Sequence, residues 1–116
     1  WQMRQVSMAP DAYAHFVRTR EFADGTAFVA IFHAVALDTS HTPPLYHAAD
    51  EQGFAMEVID RAHPDGRRFY VFAAGEARAA PLPPGNECAA CHNAQGDFDG
   101  TFSDAYPAIR RHLGPR

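Results

Sequence analysis

The sequence predicts a mainly β domain of the α+β kind: an antiparallel sheet, one short N-terminal helix, and a C-terminal segment carrying Cys88, Cys91 and His92. Three observations carry that expectation. Nine prolines and eight glycines interrupt the chain too often for long helices. Three of the intervals between them are rich in β-branched and aromatic residues, which suit a pleated, half-buried surface. Helical spacing appears in only one early interval, just after Pro10.

The helix is expected over Asp11 to Arg20, where Tyr13, Phe16 and Val17 fall at i, i+3 and i+4. Pro10 suits its first turn, where a missing N–H costs nothing. A turn at Phe22-Ala23-Asp24-Gly25-Thr26 leads into the run Ala27 to Leu37, read as a long strand. Thr42-Pro43-Pro44 marks a loop. A second strand is expected over Phe54 to Asp60, with Phe54, Met56 and Val58 alternating onto one side. The turn Pro64-Asp65-Gly66 then implies that a third strand, Arg68 to Ala73, runs antiparallel to the second. A proline-rich link from Ala80 to Gly85 ends the sheet, and the tail from Ser103 to Leu113 has room for a turn or two of helix.

A chain of 116 residues with 47% apolar and 12% aromatic content is sized for one core, so residues 1–116 are expected to form a single domain. Fourteen acids stand against ten arginines, and there is no lysine. A net charge of -4 without a basic face speaks against nucleic acid as a partner. The stretch Thr26 to Leu37, free of charged residues, is about 12 residues and too short to cross ~30 Å of hydrocarbon. The chain opens on Trp1 rather than Met, and is expected to be a processed or trimmed product.

Cys88-Ala89-Ala90-Cys91-His92 has the Cys-x-x-Cys-His spacing of c-type haem attachment. Two thiols three residues apart on a helical turn reach the two vinyl groups on one edge of a porphyrin, and the next residue carries its imidazole under the iron. His92 is therefore the expected metal ligand. A zinc site would need two further ligands at matching spacing, and none is present. A redox dithiol would sit early in a βαβ pattern rather than after a proline-rich link. Covalent attachment takes place in an oxidising, exported compartment, so the expected location is periplasmic. Electron-carrying cytochromes c place this motif early and take a methionine ligand from downstream, but no methionine follows His92. Any sixth ligand would have to come from upstream, where Met3, Met8 and Met56 lie.

With these features the chain resembles the cytochrome P460 family, in particular its β-sheet cytochrome c′ (c′-β) branch. Three blocks carry the likeness: Phe22-Ala23-Asp24-Gly25-Thr26, where Ala23 replaces the family's proline; the haem motif; and Asp97-Phe98-Asp99-Gly100-Thr101-Phe102 with Tyr106-Pro107. They span roughly residues 13 to 110. The resemblance implies a homodimer with one covalently attached haem per chain. In the P460 branch a lysine, expected near Val58 or Ile59, is cross-linked to the haem, and the protein oxidises hydroxylamine. The c′-β branch lacks the cross-link and binds NO and CO beneath a phenylalanine-lined distal face. The absence of lysine points to the second branch.

Candidates for the distal roof are Phe28 and Phe32 on the first expected strand, Phe54 and Met56 on the second, and Tyr70 and Phe72 on the third. Each is also an ordinary core residue for a strand. Met56 is the methionine that would complete a six-coordinate electron carrier that works with a redox partner protein. Glu57 is the carboxylate that could move protons in an oxidative reaction on hydroxylamine, NO or peroxide. Arg18 and Arg20, with Arg67 and Arg68, could meet haem propionates or serve the pocket, although solvation is the default for such charges.

Overall fold

The computed structural model describes residues 1–115 and has the expected mainly β, α+β architecture. Among them, four strands form one antiparallel sheet in the order β1 (Gln2–Met8), β2 (Ala27–Asp38), β3 (Leu45–Ile59), β4 (Arg67–Ala73). Helix α1 (Pro10–Thr19) joins β1 to β2, α2 (Glu87–Gln95) carries the cysteine motif, and a 3-10 turn at Ser103–Ala105 precedes α3 (Pro107–Arg110).

Two elements depart from the sequence expectation. The first is β1, in the segment Gln-Met-Arg-Gln-Val-Ser-Met, whose polar residues carry no strand signal of their own. Pairing with β2 from Gln2↔Ala34 to Met8↔Phe28 makes it a strand, and as an edge strand it tolerates Arg4 and two glutamines. The second is the length of β3, which begins at Leu45 rather than Phe54. Its first half, rich in Ala, Asp and Glu, pairs with the end of β2 from Asp38↔Leu45 to His33↔Glu51, so tertiary pairing overrides local preference.

The register sorts the side chains into two faces. Phe28 stands opposite Glu57, Ala30 opposite Ala55 and Phe32 opposite Gly53. Glu57 in turn stands opposite Phe69, and Ile59 opposite Arg67. These residues, with Arg4, Val6 and Met8 of β1, share the inner face. Val29, Ile31, Phe54, Met56, Val58, Tyr70 and Phe72 share the outer one. Gly53 cannot be replaced: its φ is +121°, and a Cβ there would overlap the Phe72 carbonyl oxygen.

Helix α1 begins with Pro10 in its first turn and ends at Arg20 in the left-handed conformation, whose N–H donates to the Phe16 carbonyl at 2.7 Å. Its apolar face carries Phe16 into a buried cluster with Phe22, Ile59 and Ile109. Phe16 stacks on Phe22 at 4.9 Å between ring centroids, and Phe22 meets Phe28 edge to face at 4.9 Å. The Phe22–Thr26 block is docked onto the end of β3 by hydrogen bonds. The Gly25 N–H donates to the Ile59 carbonyl at 2.7 Å, the Ile59 N–H to the Thr26 carbonyl at 2.8 Å, and the Arg61 N–H to Asp24 Oδ1 at 2.8 Å. No helix among the described residues is long and apolar enough to cross a membrane.

Candidate haem site

Asn86 starts α2 by accepting the Ala89 N–H on its side chain at 3.0 Å, and the helix then places Cys88, Cys91 and His92 within its first two turns. Cys88 and Cys91 lie one helical turn apart, on one side, as free thiols. The His92 ring is held between Phe69 of β4 and Phe102, each at 4.9 Å between centroids and near edge-to-face.

The tautomer of His92 follows from its partner. Nδ1 lies 2.8 Å from the Gly100 carbonyl oxygen, which can only accept, so Nδ1 carries the proton. Nε2 has no hydrogen-bond partner among the described residues. That is the state a metal-ligating imidazole needs.

A cavity of about 730 Å3 opens between the inner face of the sheet, α2 and the segment 101–109. Phe28, Ala30, Phe32 and Ala55 line its floor, Val6 and Met8 its β1 side, and Cys88, Cys91 and His92 its α2 side. Ala30 and Ala55 keep the side chains on that floor small. Two thiols, an imidazole nitrogen with a free lone pair and apolar walls are the donor set and surroundings that a c-type haem requires, so the residues fit the group. The exposed Arg4 guanidinium stands 5.3 Å over the centre of the Phe32 ring at the rim of this cavity.

Glu57 and Arg67 are buried beside the site, 7% and 4% exposed. Arg67 Nη1 donates to Glu57 Oε1, and Arg67 Nη2 donates to the Asp99 carbonyl at 3.0 Å. The other carboxylate oxygen, Oε2, is 3.4 Å from His92 Nδ1. Burial pushes the Glu57 carboxyl above its ordinary range, while the neighbouring His92 and Arg67 draw it back.

The structure divides the distal candidates. Phe28 and Phe32 border the cavity, but Phe54, Tyr70 and Phe72 are turned to the outer face, where Phe54 and Phe72 stack at 4.2 Å. Met56 touches the cavity's edge, yet its register partners Val29 and Tyr70 put it on the outer face as well. The apolar alternation of β3 falls on the outer face, because the inward positions are Gly53, Ala55 and Glu57. Glu57 borders the cavity, and its carboxylate lies on the Nδ1 side of His92. Arg18 on α1 and Arg20 just after it lie exposed outside this cavity, and Arg20 borders a separate polar hollow with Asp24 and Arg61. Arg4, Val6 and Phe69 also line the cavity and carry no signal for it in the sequence, while Met8, one of the upstream methionines, and Phe102, part of the Asp97–Phe102 block, border it as well. The aromatic pair Phe69 and Tyr70 covers both parities of β4, and β1 gave no strand signal to place its residues.

The model of the Cytochrome P460 family matches residues 1–103. The chain belongs to the cytochrome P460 family. It is a haem-binding cytochrome, and membership implies a c-type haem with iron. No curated protein matches the chain significantly. Of the two positions near which a P460-type cross-linking lysine was expected, Val58 lies on the outer face and Ile59 is fully buried in the Phe16 cluster. Neither presents a side chain to the cavity of this P460-family chain.

Proposed function

We propose that residues 1–116 form one haem domain of c′-β type, in which Cys88 and Cys91 bind a single haem covalently and His92 Nε2 ligates its iron. The coordination position opposite His92 is open and takes up NO and CO, in gas binding or nitric oxide detoxification. The observation that carries the reading is the Gly100 carbonyl on His92 Nδ1, which leaves Nε2 free at a cavity that both thiols border. The haem, when bound, supplies an iron that exchanges diatomic ligands and changes oxidation state. Phe28, Phe32 and Val6, which cannot donate a hydrogen bond, line the sheet side of the cavity, with Ser7, Tyr13 and Tyr106 elsewhere on its lining; on the proposed reading the sheet side meets the bound gas. Polar, O2-like adducts then gain little, whereas NO and CO lose nothing. Arg4 at the rim offers a counter-charge to a propionate.

The oxidoreductase alternative relied on Glu57 as an acid or base over the iron. It finds less support, since that carboxylate is taken up by Arg67 and lies on the Nδ1 side of His92. The electron-carrier alternative gains a different ligand from the one the sequence pointed to: Met8 borders the cavity from the inner face, while Met56 belongs to the outer one. A homodimer is part of the proposal, supported by the apolar outer face, as is a periplasmic location, which the attachment chemistry requires.

Absorption spectra of the ferrous holoprotein with and without CO and NO test this. A high-spin ferrous spectrum that changes on adding either gas supports the open site. A low-spin spectrum that becomes high-spin in Met8→Leu would establish the electron carrier instead.

A further inference from the structure

On the proposed ligation by His92, the donor strength of its imidazole depends on what surrounds Nδ1. Two acceptors face Nδ1: the Gly100 carbonyl at 2.8 Å and Glu57 Oε2 at 3.4 Å. They come from different parts of the chain, and one side chain organises both. Arg67 pairs with Glu57 through Nη1 and with the Asp99 carbonyl through Nη2. Its guanidinium also lies against Gly100, where φ is +66° and any Cβ would overlap it. The turn that presents the Gly100 carbonyl is therefore seated on the same guanidinium that fixes the carboxylate. Arg61 closes the turn from outside, binding both Asp99 carboxylate oxygens at 2.8 and 2.6 Å.

We infer that Arg67 and Glu57 are positioning residues for His92, holding a carbonyl and a carboxylate together at Nδ1 so that the imidazole is a strong, fixed electron donor to iron. A hydrogen bond to Nδ1–H makes the far nitrogen more basic, and a carboxylate beside it adds negative charge that favours the ferric over the ferrous state. Burial strengthens both effects, since little water screens the group. The inference explains why a strand facing an apolar cavity spends an inward position on glutamate, and why Asp99-Gly100 follows the haem motif at close range.

Resonance Raman spectra and redox titrations of the holoprotein separate this from a purely structural role. In the ferrous wild type the His92–iron stretching band should be present. It should fall to lower frequency in Glu57→Gln and in Arg67→Lys, which cannot reach both partners with one ammonium. The midpoint potential of Glu57→Gln should rise, and Arg68→Gln, on the outer side of β4, should leave band and potential unchanged. If Glu57→Gln does not yield folded holoprotein, Glu57→Asp retracts the carboxylate by one methylene, keeps its charge, and should lower the band alone. A band and potential that do not move in the folded variant overturn the inference while leaving the ligation intact. A wild type with no His92–iron band overturns the ligation itself.

Discussion

On the inner face of the sheet the register aligns Phe28 with Glu57 and Phe69, and Ala30 with Ala55. On the outer face it aligns Val29 with Met56 and Tyr70, and Ile31 with Phe54 and Phe72. By hydropathy alone the outer face is the one that should be buried. The inner face instead alternates aromatic rings with alanines and a glycine, and keeps a buried ion pair at one end. A wall that must admit a flat cofactor needs gaps as well as apolar area, so its pattern is weaker than that of a surface packed without gaps. Hydrophobic alternation thus tells which residues are apolar, but not which face holds the ligand.

The two faces should respond differently to substitution. The largest loss is expected from Arg67→Met on the inner face, which leaves the Glu57 carboxylate buried without its partner. Such a break costs about 3–5 kcal/mol, readable by urea denaturation. A loss below about 1 kcal/mol would mean that water reaches the pair. Ala55→Leu comes next: it pushes a branched side chain into the cavity, should cost about 1–3 kcal/mol, and should lower the haem-to-protein ratio on expression. Phe54→Ala on the outer face removes one ring of the stack with Phe72 and should cost about 1 kcal/mol from that pair. It should leave the ferric and ferrous spectra unchanged and weaken any dimer measured by sedimentation. A spectral change in Phe54→Ala, with none in Phe32→Ala, would reverse the assignment of faces. The smallest effect is expected from Met56→Leu, a volume-conserving change that should cost less than Phe54→Ala and leave the spin state alone.

What could be read from the sequence was local. The Cys88–His92 spacing, the Pro10 start of α1 and the turn at Phe22–Thr26 each depend on residues within a few positions of one another. Strand β2 was legible from its own composition. What escaped was set by partners distant in the chain. Strand β1 is a strand because β2 lies beside it, and the first half of β3 extends because β2 continues past Phe32. The role of Glu57 could not be seen because Arg67, Asp99 and Gly100 meet it only through the β3–β4 register and the turn after α2. The Asp97–Phe102 block was recognisable as a motif, but its task at His92 Nδ1 needed coordinates.

The central claim is that this cavity holds a haem bonded to Cys88 and Cys91. Mass spectrometry of the intact, acid-denatured protein tests it most directly. The account predicts one haem of added mass that survives acid acetone and maps to the peptide containing Cys88 to His92. Haem that extracts into the acetone, leaving two free thiols on the chain, would contradict it.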